Sequence, residues 1–125
     1  MKFDLTKATR VFLGVILTIF GLNGFLGFLP LPPLEGAALD FVGALAATGY
    51  LLPLIKLTEI TCGVLLLTNR YVPLALAILT PVLVNVLAFH CFLAPSGLLV
   101  PVALVLGTAY LAWKNRSSYA PLFIK

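Results

Sequence analysis

Charge is what this sequence has least of. Only 10% of its 125 residues are Asp, Glu, Lys or Arg, against 62% hydrophobic, where a soluble domain carries about 25% charged and about 45–50% apolar residues. So short a chain has too little interior to hide that much apolar surface from water. A soluble globular class is therefore excluded, and a bilayer is the solvent that suits it. The mean hydropathy of +1.15 agrees. A single histidine excludes a bis-histidine haem site within one chain. The two cysteines, Cys62 and Cys91, lie in apolar segments with no CxxC or Cys/His zinc spacing, so they read as small hydrophobes and are expected to be unbridged. No HExxH, GxSxG or glycine-rich phosphate loop occurs. His90 beside Cys91 is no dyad, because neighbours on a helix point about 100° apart. No intrinsic catalysis is expected.

The net charge of +4 would suggest nucleic acid in a soluble protein, but the basic residues sit beside the ends of apolar runs, which is how membrane topology is encoded. Nucleic acid is not an expected partner; the lipid bilayer is. Residues 11–29 form a charge-free run long enough to span. It is too long for a signal-peptide core, and no small-x-small cleavage site follows closely, so a permanent helix is expected. Pro30, Pro32 and Pro33 stop it. Residues 37–49 predict a short interfacial or re-entrant helix, followed by spans at 51–68, 72–93 and 98–113. Asn69 suits the C-cap of the second span, Pro73 suits the first turn of the third, and Pro81 should kink that helix. The fold class is an all-α membrane bundle of four spanning helices in a single domain covering residues 1–125.

With the N-terminus inside, Lys2, Lys7, Arg10, Arg70, Lys114, Arg116 and Lys125 all fall on the cytoplasmic side, while the outer loops hold Glu35 and Asp40 and no Lys or Arg. The positive-inside rule is obeyed at every loop. Both termini are expected to be cytoplasmic.

Lys56 and Glu59 lie inside the second span, where each ionised group costs about 2.5–3.5 kcal/mol near mid-bilayer. Three apart, they share a helix face and can pair. Helix rise puts Lys56 and His90 about 6 Å below the outer boundary, Asn23 about 9 Å, Glu59 about 10 Å and Asn85 about 13 Å. Lys56, Glu59, Asn23, Asn85 and His90 thus form a polar layer in the outer half, drawn from three helices. Two roles are open for it: glue between helices, or a site for a small ligand, a lipid headgroup, a quinone head or a proton. Asn85 and His90 are about 140° apart around a helix, so they cannot converge on one atom. Phe25, Phe89 and Phe92 could flank an apolar ring. Gly14, Thr18 and Gly21, then Gly63, and Ala103 with Gly107 mark faces that permit close helix approach.

The order of short motifs resembles the DoxX-like family of small bacterial membrane proteins. It runs from Asn23-Gly24-Phe25 and Leu29-Pro30-Leu31-Pro32-Pro33 through Thr48-Gly49-Tyr50-Leu51, Pro53, Lys56, Glu59 and Gly63. It ends with Pro73-Leu74-Ala75, Pro81, Asn85 and Phe89-His90. The resemblance covers nearly the whole chain. It implies a four-helix protein of the bacterial inner membrane. The family name is associated with a subunit of a thiosulfate:quinone oxidoreductase and with redox-linked membrane complexes, and a related animal branch acts in receptor assembly. The expected function is a non-catalytic subunit binding a small or lipid-like ligand, with quinone as the cofactor class, through Lys56 and Glu59 and the residues around them. The alternative is an assembly factor or accessory subunit acting through a membrane-protein partner or as a homo-oligomer. A proton or small-solute pathway is the weakest reading, because Asn85 is the deepest member of the layer.

Overall fold

Asp4 starts the first helix. Its extended backbone (φ −101°, ψ 99°) places the carboxylate to accept the Lys7 N–H at 3.1 Å, and helix α1 runs from there, Leu5–Leu26. The computed structural model describes residues 2–125. Helix α1 begins six residues before the expected span and ends three before it. The charge-free run marks where hydrocarbon would lie, whereas the helix is set by its caps: Asp4 opens it, and Gly27 closes it at φ 61° with its N–H on the Asn23 carbonyl at 2.8 Å. The basic first turns are helical too, since Lys and Arg are good helix formers.

Helix α2 (Gly36–Ala47) follows, ending two residues earlier than expected because Thr48 and Gly49 (φ 79°) turn the chain. The Thr48 hydroxyl accepts the Leu51 N–H at 3.0 Å and so caps helix α3 (Leu51–Leu67), which leaves α2 at 91°. Asn69 takes φ 55°, the Asn69 N–H bonds the Leu66 carbonyl and the Arg70 N–H bonds the Leu65 carbonyl, so a Schellman turn ends α3. Helix α4 (Val72–Phe92) contains Pro81; a 3-10 turn over Pro95–Gly97 leads to helix α5 (Leu99–Lys114). A short helix α6 (Arg116–Tyr119) and a 3-10 turn over Ala120–Phe123 close the chain.

All six helices belong to an all-α chain with no strand among the described residues. Helices α1 and α4 are each long and apolar enough to cross a bilayer, and the bent α2–α3 pair brings the number of candidate spans to three. Helix α3 has 17 residues and α5 has 16, so each reaches only about 24–26 Å of a hydrocarbon core of about 30 Å.

One core joins α1, α3, α4 and α5. It is built from Leu13 and Leu17, Cys62 and Leu66, Val72 to Leu83 on one face of α4, and Leu104 and Leu111. These helices touch in the cyclic order α1, α3, α4, α5. The α1–α3 seam is the tightest because it lacks side chains. A Cβ on Gly63 would sit 2.9 Å from the Thr18 nitrogen and 3.0 Å from the Gly14 carbonyl oxygen, and one on Gly21 would sit 3.1 Å from the Ile60 nitrogen. Small residues at this spacing let two helix backbones meet. At the basic end Arg10 donates to the Leu66 carbonyl and, at 3.3 Å, to the Leu67 carbonyl, placing a cation on the negative end of α3. The Thr6 and Tyr110 hydroxyls bond at 3.0 Å, and the Tyr119 hydroxyl donates to the Pro73 carbonyl at 2.7 Å, pinning the tail to α4.

Candidate functional site

Helix α3 carries the one ion pair among the described residues. Lys56 Nζ lies 3.1 Å from Glu59 Oε2, one turn apart on the same face. The pair is asymmetric: the Glu59 side chain is 8% exposed and that of Lys56 29%. Glu59 sits in the α3 face that also buries Cys62, Gly63 and Leu66. Lys56 reaches past it toward the surface.

Gly24 decides where Lys56 can lie. A Cβ there would fall 2.5 Å from Lys56 Cγ, 2.7 Å from Cδ and 3.0 Å from Cε. The missing side chain is a slot for the lysine stem, so the apolar part packs on α1 while the ammonium projects beyond it. Where the end of α1, the end of α2 and the start of α3 come together, a cleft of about 310 Å³ opens, lined by Gly24, Phe25, Ala46, Gly49, Pro53 and Lys56 among others. An ammonium has three N–H donors and Glu59 takes one. Two are left for a carbonyl, phosphate or carboxylate oxygen in the cleft, and the Phe25 ring and the Pro53 ring supply apolar wall.

The other expected members of the polar layer make their hydrogen bonds within their own helix or turn. Asn23 is buried, but it serves its own turn: its Oδ1 accepts the Leu29 N–H at 2.6 Å and its Nδ2 reaches the Leu29 carbonyl at 3.5 Å. Asn85 is exposed and donates back to the Pro81 carbonyl at 2.9 Å. His90 Nδ1 is 2.9 Å from the Val86 carbonyl, and its ring meets Phe89 edge-on and covers Gly97. No hydrogen bond links any of the three to Lys56 or Glu59. The expected layer therefore has no common hydrogen-bonded centre, because the 3.6-residue period turns each side chain by its own angle. Of the aromatics, Phe25 lines the cleft, Phe89 packs on Phe41 of α2 at 5.7 Å between ring centres, and Phe92 points outward, 84% exposed. Sequence reasoning missed Ala46 and Pro53 as wall residues and Gly24 as the lysine slot; for Gly24 the signal was a glycine beside Asn23 near a helix end.

A second cleft of about 460 Å³ lies at the opposite, basic end, lined by Asp4, Lys7, Arg10, Asn69, Val72 and Asn115 among others. Cys62 is buried and Cys91 exposed, both as free thiols. No protein-family model matches the chain, and neither curated proteins nor solved structures provide a significant match.

Proposed function

We propose that this chain is a bacterial inner-membrane protein of the DoxX-like kind, with α1, α3, α4 and α5 as its four spans. In this reading it binds a small or lipid-like molecule with a polar head, a quinone being the leading class, and catalyses no reaction itself. The observation that carries it is the ammonium of Lys56, held by the buried Glu59 at 3.1 Å, on the wall of a cleft that also offers an aromatic ring. Buried charge within a membrane helix is retained at a cost, which makes such a pair a functional candidate. The cleft volume of about 310 Å³ is at the low end for ligand sites, about 300–1,000 Å³, and suits a single head group. The topology supports an outward-opening cleft: the α1 start, the α3–α4 turn and the α5 end collect the basic residues, and the cleft is at the other end. With Lys and Arg on the cytoplasmic side, both termini are cytoplasmic.

The test joins mass spectrometry of the gently purified protein to a double-mutant cycle. Lys56→Met strands a buried carboxylate and is expected to destabilise by about 3–5 kcal/mol. Glu59→Gln leaves a lysine already near the surface and costs less. The double mutant recovers much of the loss, since pair and penalty go together. Wild-type protein retains a quinone or lipid, and the stable double mutant does not. Equal retention by both would remove the binding reading and leave the pair as structural glue.

A further inference from the structure

Helix α4 has two faces. Val72, Ala75, Leu76, Leu79 and Leu83 are buried in the core. On the far side Leu74, Ile78, Pro81, Asn85, Ala88 and Phe92 recur at alternate steps of four and three residues. That is the seven-residue repeat by which one helix meets another along a continuous stripe. Leu74 is 54% exposed, Ile78 42% and Phe92 84%; Pro81 and Asn85 are exposed and Ala88 half-buried. Five of its six positions are thus open on the outside of the bundle.

Asn85 is the polar group in it. It lies three residues past the midpoint of α4, within about 5 Å of the centre of a helix long enough to cross the bilayer. A carboxamide has two N–H donors and an acceptor oxygen. The structure uses one donor, on the Pro81 carbonyl. One N–H and Oδ1 are left facing outward, at a depth where lipid offers no hydrogen-bond partner.

We infer that α4 is a self-association surface and that a second copy of this chain covers it, α4 against α4 in parallel, with Asn85 paired to Asn85. The unspent groups select this occupant: one donor and one acceptor are self-complementary, and a two-fold axis beside Asn85 satisfies both amides at once. Copies that insert with one topology present α4 in the same direction, as a two-fold axis along the membrane normal requires. Pro81 and the small Ala88 flank Asn85 and allow close backbone approach. A polar Asn at one core position of such a stripe fixes register and number of strands.

The experiment uses full-length protein in lipid vesicles. In a Cys91→Ser background, with Cys62 buried, Ala88→Cys is compared with Thr80→Cys, which lies about 120° around α4 from the stripe. Mild oxidation is expected to give a disulfide-linked dimer for Ala88→Cys and little for Thr80→Cys. Energy transfer between labelled copies, diluted in lipid, is expected to show association about tenfold weaker for Asn85→Leu. Asn85 is exposed and its hydrogen bond is to its own helix, so the stability of the monomer, read at high lipid dilution, should not fall. Ala88→Phe, which blocks the stripe by bulk, should weaken association as well. Equal cross-linking at positions 80 and 88, energy transfer no greater than random collision, or association unchanged by Asn85→Leu would each overturn the inference.

Discussion

Gly63→Ala adds a single methyl group to the middle of α3. That carbon would lie 2.5 Å from Thr18 Oγ1, 2.9 Å from the Thr18 nitrogen and 3.0 Å from the Gly14 carbonyl oxygen. The hydroxyl cannot simply turn away without giving up its own 2.7 Å bond to the Gly14 carbonyl, and the other two atoms are backbone. The two helices must therefore part by about 0.5–1 Å to restore ordinary contact near 3.5 Å, which loosens the Leu13, Leu17 and Leu66 packing between them. Overpacking of this kind costs about 1–3 kcal/mol. Replacing a mid-helix glycine by alanine also gains about 0.5–1 kcal/mol of helix propensity. Gly43→Ala isolates that gain, because a Cβ there meets nothing within 4 Å. The propensity contribution cancels in the comparison, so Gly63→Ala should be less stable than Gly43→Ala by about 1–3 kcal/mol. Gly107→Ala, whose nearest atoms are the movable ends of Leu13 and Thr9 at 3.2–3.3 Å, should fall between them. Denaturant titration in detergent micelles, followed by circular dichroism, measures the series. A Gly63→Ala protein as stable as Gly43→Ala would show that α1 and α3 do not pack backbone to backbone.

Asn23→Ala removes the acceptor of the half-buried Leu29 N–H and should cost about 0.5–1.5 kcal/mol as that hydrogen bond is lost, read in the same titration. Loss of cleft binding without loss of stability would instead give Asn23 a ligand role. A maleimide should label one thiol in the folded protein, the exposed Cys91, and both after denaturation, because Cys62 is 1% exposed. Tyr119→Phe deletes the bond to the Pro73 carbonyl and should weaken tail docking by about 0.5–1.5 kcal/mol. Burial pushes the Tyr119 phenol above its ordinary value of 10.0. The protonated form is thus favoured in the folded state; the contribution is complete below pH 10 and lost as pH rises through the folded value. Fluorescence of Trp113, the sole tryptophan, should report tail release at that alkaline limit in wild type and not in Tyr119→Phe.

Much of the architecture is written in local chemistry. Thr48-Gly49 and Asn69 break the chain where α2 and α3 end, since each acts on its own φ or its neighbours' N–H groups whatever lies around it; α1 is closed by Gly27, three residues before the prolines expected to stop it. The pairing of Lys56 with Glu59 was legible for the same reason: three residues on one helix are neighbours in any fold. The start of α1 was misplaced because apolarity was used to find a boundary that a single capping carboxylate, Asp4, decides.

What the sequence could not supply is which residues from different helices meet. Asn23, Asn85 and His90 are expected at a depth near that of the ion pair from position along their helices, while convergence depends on rotation and on which helices adjoin. Glycine packing governs both here. Gly14, Gly21 and Gly63 bring α1 against α3, which sets Gly24 over the Lys56 stem and opens the cleft beside Phe25. The composition alone therefore determined that this chain seeks a bilayer, and local motifs determined where its helices begin and end. The tertiary structure alone decided that Lys56 faces a cleft while Asn85 faces outward, because non-bonded contacts between distant segments, not spacing along one helix, choose the direction of each side chain.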